Sequence, residues 1–388
     1  MIYTKTNAYH GNFDPKFFKP LTEANFENNS VYWYDQHDWA LKNTQFNQFL
    51  DQAHWEHLQR DPTSKILMFY GDEYYNWLDI EDWTLTLKKW NIRPDQVYIL
   101  CLDENWVNWT KNQFSERDYN GVNIQCYNAL MSRVDPQEEK SMVKRFSVLS
   151  RNYSKWRLRL YTVLFNQNLL TRNFNYTFNN LNPYGAVTVY PKKHVKKDLE
   201  TLGFTLTPEL ENWVDGMPYS TKNNPIQKKL SADIYDLIQT SGINIVVESH
   251  FDPFWNFNGH RHMHPQHFSP SFPTEKMYKP IACHRPFIVF STPWFLKEFK
   301  NLGYKTFHPY IDESYDDIQD DVERLNAIAK EVERLCNLTD ADFINLMENC
   351  KKITEHNFKI MENLKKDVSL KPEFEWIEPY LDKIYKLT

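Results

Sequence analysis

Residues 65–102 read KILMFYGDEYYNWLDIEDWTLTLKKWNIRPDQVYILCL. Lys65–Tyr70 is a short apolar run closed by Gly71-Asp72, the form taken by a strand buried on both faces. Residues 80–90 carry helical spacing until Arg93-Pro94 interrupts it, and 96–102 form a second apolar run. Residues 122–127 (VNIQCY) make a third. Strand and helix alternating in this way predict an α/β fold, a parallel sheet with helices on its faces.

Upstream, residues 1–60 are aromatic and polar, with one helix expected over 44–59 from the spacing of Phe46, Phe49, Leu50, Ala53 and Leu58. Downstream, the charged stretch 136–144 (PQEEKSMVK) reads as a linker, after which the alternation restarts. Strands are expected at 145–149, 186–190, 243–247 and 287–290, and helices at 157–170, 231–240 and 293–301. Residues 150–156 (SRNYSKW) and 200–224 read as loops. From Asp317 onward the chain is helical in pattern, with Val322, Leu325, Ile328, Val332 and Leu335 forming one stripe and Thr339 capping the next helix. The expected division is 1–144, 145–316 and 317–388: two α/β domains in tandem, closed by C-terminal helices.

At 388 residues the chain has room for two domains. A net charge of −6 gives no global electrostatic footprint for nucleic acid, though it leaves room for a local basic cleft. The five cysteines are scattered with no CxxC, which fits a reducing, cytoplasmic compartment. Neither a signal peptide nor an apolar run long enough to span a bilayer is visible, so no membrane partner is expected. The nine glycines are so widely spaced that G-x-G-x-x-G and Walker A loops are ruled out. Any phosphate bound here must be met by Lys and Arg side chains or a helix N-terminus.

Two groups of residues meet that demand. Pro273-Thr274-Glu275-Lys276-x-x-Lys279 has the form of a helix start capped by Thr274, just ahead of the apolar run Phe287–Phe290. A carboxylate at Glu275 suits a ribose diol, and a lysine beside it suits a diphosphate; the alternative is a surface ion pair between Glu275 and Lys279 at i,i+4. Arg151, Lys155, Arg157 and Arg159 surround a strand-to-helix turn, where a basic first turn invites an anion; here the alternative is a solvated helix start.

These stretches resemble a known family. Glu248-Ser249, a spacer, then Thr274-Glu275-Lys276 and an apolar strand are similar to the donor-binding region of α-1,3-fucosyltransferases, with their E-N-S and T-E-K-L-x-x-N blocks. S-R-N-Y-S-K-W-R at 150–157, G-Y-K-T-F at Gly303–Phe307 and D-E-S-Y-D at Asp312–Asp316 resemble phage and giant-virus glycosyltransferase-like proteins. The likeness spans 145–325. It implies a GT-B fold of two Rossmann-like domains, the N-terminal one facing the acceptor and the C-terminal one holding a nucleotide diphosphate-sugar donor, with no metal and no cofactor beyond that donor. Arg151, Lys155, Arg157, Ser249, Thr274, Glu275, Lys276 and Lys279 would bind the donor, and Glu248 would sit at the sugar end. The catalytic carboxylate would come from Glu248 or from Asp72, Glu73, Asp103 and Glu104, each of which follows an N-terminal strand. The acceptor implied is a glycan or a hydroxymethylated DNA base, in a cytoplasmic setting.

This sequence departs from those patterns: Asn152-Tyr153 replaces Arg-Pro, Ser154 replaces a second Arg, and the spacer is longer. That spacer holds His250, His260, His262, His264 and His267, which keeps a metal-dependent enzyme as one alternative. A non-catalytic nucleotide- or carbohydrate-binding module is another. The D-x-D at Asp340–Asp342 stands at a helix start, which argues against a GT-A site.

Overall fold

The computed structural model describes residues 2–4, 18–21, 24, 26–35, 46, 49–70, 77–101, 104–126, 134, 136–138, 140–152, 154–170, 174–181, 191–217, 219–220, 230–248, 251, 254–257, 260–263, 273–366, 370 and 372–378. The chain forms two compact units: Met1–Ser132 together with Lys366–Thr388, and Arg133–Lys365. The first break falls ahead of the expected one at 144. The C-terminal region expected as one piece, 317–388, is shared between the units.

The first unit is a six-stranded, all-parallel sheet in the order β2-β1-β3-β4-β5-β6. Its strands are β1 (Ile2–Thr4), β2 (Phe18–Pro20), β3 (Val31–Asp35), β4 (Lys65–Tyr70), β5 (Val97–Cys101) and β6 (Asn123–Cys126). Helices α1 (Gln52–Arg60), α2 (Trp77–Lys89) and α3 (Glu104–Glu116) connect β3 to β4, β4 to β5 and β5 to β6. The three strands ahead of α1 were not anticipated. The helix expected over 44–59 begins only at Gln52, where Asp51 accepts the His54 amide; Phe46, Phe49 and Leu50 are buried ahead of it. Much of the aromatic content is core here: Trp33, Trp55 and Trp83 are fully enclosed, and Trp55 stacks on Trp90 at 6.0 Å. The 3-10 turn Pro372–Ile377 returns to this unit, burying Phe374 against Tyr98 and placing Trp376 under the Lys65 ammonium at 4.4 Å.

The second unit carries a five-stranded sheet in the order β13-β10-β7-β8-β9. Its strands are β7 (Lys144–Asn152), β8 (Phe174–Leu181), β9 (Tyr219–Ser220), β10 (Ser241–Val247) and β13 (Phe287–Phe290), parallel except for β9. A separate hairpin pairs β11 (Phe254–Phe257) with β12 (His260–Met263) inside the expected spacer loop. The helices are α4 (Lys155–Asn166), α5 (Lys192–Thr201), α6 (Pro208–Asp215), α7 (Leu230–Gln239), α8 (Glu275–Ala282), α9 (Phe295–Asn301), α10 (Asp321–Cys336) and α11 (Asp340–Lys366).

Three expectations for this unit need correction. β7 runs to Asn152, so Arg151 stands in the strand and not in the loop after it. α6 occupies the middle of 200–224, capped by Thr207 with Pro208 in its first turn. β8 was not foreseen, because its alternation of Phe, Tyr and Asn hides a strand whose Asn175 amide donates to Ser241 Oγ at 3.0 Å. The strand expected at 186–190 lies outside the described residues. Among the described residues no helix is long and apolar enough to cross a membrane.

The amino ends of β7 and β10 are anchored by the α10–α11 turn. Arg145 donates to the carbonyls of Cys336 (3.1 Å) and Leu338 (2.7 Å) and pairs with Asp340 at 2.5 Å, and its guanidinium lies 4.9 Å from the Phe343 ring centroid. Gly242 fits beneath this clamp. A Cβ there would stand 2.9 Å from the Arg145 carbonyl, 2.9 Å from the Phe343 ring and 2.8 Å from Met142 Sδ. Gly242→Ala is therefore expected to cost about 1–3 kcal/mol by overpacking, read as a lower urea midpoint with an unchanged slope.

Candidate functional site

In the second unit the chain leaves β7 toward β8 on one side and leaves β10 toward β13 on the other. The strand order therefore reverses between β7 and β10, and the carboxyl ends of these two strands flank the crevice where open α/β sheets bind ligands. Glu248 is the first residue past β10, and Ser154 caps the helix that follows β7.

Four of the residues singled out from the sequence meet here. The Glu248 carboxylate is enclosed: Oε1 accepts the Thr274 amide at 3.3 Å and Oε2 accepts the Thr274 hydroxyl at 2.7 Å. Lys276 Nζ lies 3.8 Å from Glu248 Oε2 and donates to Thr274 Oγ1 at 3.3 Å. Thr274 caps α8 as expected, its hydroxyl accepting the Lys276 amide at 3.2 Å. Arg157, in the first turn of α4, is buried and donates from Nη2 to the Glu248 carbonyl at 3.4 Å. A carboxylate, a hydroxyl, an ammonium and a guanidinium thus converge from three segments on one edge of the sheet.

The other expected donor residues are placed differently. Lys155 pairs with Asp198 of α5 at 3.2 Å, so in this structure its charge is directed at a helix. Arg151 precedes the last residue of β7, and Glu275 opens α8. Lys279 is in the same helix one turn on and is half-buried. Ser249, Asp72, Glu73 and Asp103 lie outside the described residues, as does His250. In the chain, Asp72 and Glu73 come just after β4 and Asp103 just after β5; Glu104 opens α3. In the first unit the strand order reverses between β1 and β3, so these carboxylates follow strands on one side of that point.

Two further residues support this edge: Arg324, which no sequence motif marks, and Asp316, which belongs to the D-E-S-Y-D stretch but has no role assigned there. Arg324, on α10, is 1% exposed. Its Nε donates to the Ser291 carbonyl at 3.1 Å, Nη1 to those of Ile318 (2.9 Å) and Gln319 (3.2 Å), and Nη2 to that of Phe251 and to Asp321 Oδ1 (2.7 Å). Its guanidinium lies 4.3 Å from the Phe251 ring centroid, and that ring stacks on Phe290 at 3.8 Å. Arg324 therefore ties the segment leaving β10 to the end of β13. Its position four residues before Ile328, on the buried stripe, was the available signal.

Asp316 is the second. Its carboxylate accepts the amides of Leu296 (3.0 Å) and Lys297 (3.2 Å), filling the amino end of α9 just past β13. Burial pushes this carboxyl up to about 6, against the lowering effect of those two amides. A folded-state value above the unfolded one means that the native state binds the extra proton, so this group favours folding more at low pH and loses that contribution as pH rises from about 4 through about 6. Asp316→Asn is expected to remove this slope: the stability difference between wild type and variant, from urea melts, should move in favour of wild type between pH 7 and pH 5. A difference that is flat over that range would contradict the assignment.

A cavity of about 440 Å³ lined by Met142, His284, Arg285, Ile344 and Met347 among others lies elsewhere, at the amino ends of β7 and β13. It is on the opposite edge of the sheet from Glu248.

No protein-family model matches the chain, and no curated protein matches it. Among solved structures it is similar to the GtfA/B complex, at 10% identity and a TM-score of 0.42, over 93% of this chain and 58% of that one. It is similar to the E. coli trehalose-6-phosphate protein bound with UDP-2-fluoro glucose, at 12% identity and 0.44, over 88% and 73%. It is similar also to an α,α-trehalose-phosphate synthase (UDP-forming) from Burkholderia vietnamiensis, at 10% identity and 0.46, over 92% and 73%. The chain thus spans less than two thirds of the first of these proteins. Likenesses at such identities concern the fold, and the activities are those proteins' own. The chain itself is a two-unit α/β protein with parallel sheets, the class expected from the alternation at 65–102.

Proposed function

We propose that this chain is a glycosyltransferase that moves a sugar from a nucleotide diphosphate-sugar donor to an acceptor hydroxyl. The observation that carries the reading is the convergence of Thr274, Lys276 and Arg157 with Glu248 beside the reversal of strand order, in a chain without a glycine cradle. A diphosphate at this edge would be met by side-chain cations. As the bond from the anomeric carbon to the diphosphate oxygen breaks, negative charge grows on that oxygen, and an ammonium already bound to the diphosphate stabilises it. Arg151, Lys155, Lys279 and Ser249 are proposed to complete the donor site, with Glu275 on the ribose. With the charge neutralised in this way, no metal is required.

The acceptor oxygen forms the new bond to the anomeric carbon, and its proton passes to a general base. The acceptor is proposed to be a glycan or a hydroxymethylated DNA base. A non-catalytic nucleotide- or carbohydrate-binding module is the second reading, favoured by the enclosure of the Glu248 carboxylate. Nucleoside diphosphate release from UDP- and GDP-sugars, with glycan and hydroxymethylated-DNA acceptors, separates the two. Acceptor-dependent release that persists in EDTA is expected; binding without release would leave only the module.

A further inference from the structure

The carboxylate at the centre of this site is poised against the ligand the site is proposed to take. The Glu248 side chain is 4% exposed, whereas that of Lys276 is 25% exposed. Glu248 Oε1 and Oε2 both engage Thr274, and Oε2 also faces Lys276 Nζ at 3.8 Å. An internal anion therefore stands at the amino end of α8, where the helix dipole and the lysine would otherwise receive an external one. Solvent reaches the Lys276 side chain but hardly reaches that of Glu248. The Thr274 hydroxyl links the two, donating to Glu248 Oε2 and accepting from Lys276 Nζ.

We infer that Glu248 is an internal competitor that holds Lys276 in reserve, and that a diphosphate binds by drawing the ammonium off Glu248 while Thr274 keeps the carboxylate in place. This rests on the reading of the site as a diphosphate site. It makes Glu248 a positioning residue, since its carboxylate acts through Thr274 and Lys276. Arg157 is anchored on the Glu248 backbone carbonyl, so it stays aimed at the same edge whichever partner the lysine takes. Resting affinity for an anion is then lower than the lysine alone would give, because each binding event must first break an ion pair.

The test is calorimetric titration of inorganic pyrophosphate at fixed ionic strength into wild type, Glu248→Gln, Glu248→Asp and Lys276→Met, with a melting curve for each. Gln keeps an acceptor for the Thr274 amide and nearly the same volume while removing the competing charge. Expected are binding by Glu248→Gln about two- to fivefold tighter than wild type, as for release from a partly exposed ion pair, an intermediate gain for Glu248→Asp, and none for Lys276→Met. If Glu248→Gln melts below the assay temperature, Glu248→Asp decides on the same criterion. Unchanged or weaker binding by the folded variant overturns the inference, and leaves the proposed function standing where wild type still binds a nucleoside diphosphate. Absence of binding by wild type and Glu248→Gln alike, to pyrophosphate and to nucleoside diphosphates, overturns both.

Discussion

Arg324→Ala is expected to lower the stability of the second unit by about 3–5 kcal/mol, the range for removing one member of a buried, hydrogen-bonded charge cluster. The arginine is 1% exposed and donates to four backbone carbonyls and one carboxylate. Alanine would leave those carbonyls of Ser291, Phe251, Ile318 and Gln319 without the guanidinium, the Asp321 carboxylate without its cation, and the Phe251 ring without its cover. Each lost acceptor adds its own desolvation cost. For a unit of this size the loss corresponds to a melting temperature lower by on the order of 10 °C. Arg324→Lys should recover little of it, because one ammonium cannot span the carbonyls that the planar fork reaches together. A lysine variant as stable as wild type would show that the charge matters and the fork does not.

Lys276→Met is expected to weaken nucleoside diphosphate binding strongly while leaving the protein folded. A hydrogen bond to a charged group contributes about 1.5–3 kcal/mol, roughly ten- to a hundredfold in affinity. Met keeps the apolar stem, and Glu248 retains both contacts to Thr274, so the melting temperature should fall by only a few degrees. Binding assays and melts on the same preparation separate the two effects. Wild-type affinity in Lys276→Met would remove this lysine from the site.

How much of this was legible in the sequence depended on burial. β5 and β13 are enclosed on both faces, as are Ile66–Met68 of β4 and all of β10, so each reads as a mainly apolar run. β1 and β2 have three residues each, and β3 mixes Tyr, Trp and Asp, so none offers a periodic pattern. α6 carried its own signal in Thr207-Pro208, overlooked because the flanking residues are polar. The site was readable as residue types at strand ends, which is where Glu248, Thr274 and Lys276 fall. Their mutual contacts were not readable, because they depend on the path of the long spacer that returns Thr274 to the end of β10. Lys155 shows the converse: its place beside the α4 cap suited a phosphate, but the fold brings Asp198 to it. Arg324 was hidden because a charged residue on an apolar stripe reads as an interruption until the carbonyls it serves are known.

The proposed function requires the carboxyl edge of the second sheet to bind a nucleoside diphosphate through side-chain cations. Calorimetric titration of UDP, GDP, CDP and ADP into the wild-type chain, with and without EDTA, decides whether it does. At least one of the four should bind, EDTA should leave the affinity unchanged, and Lys276→Met should weaken it at least about tenfold. If none of the four binds, or if binding disappears with EDTA, this edge is not a metal-independent nucleoside diphosphate site.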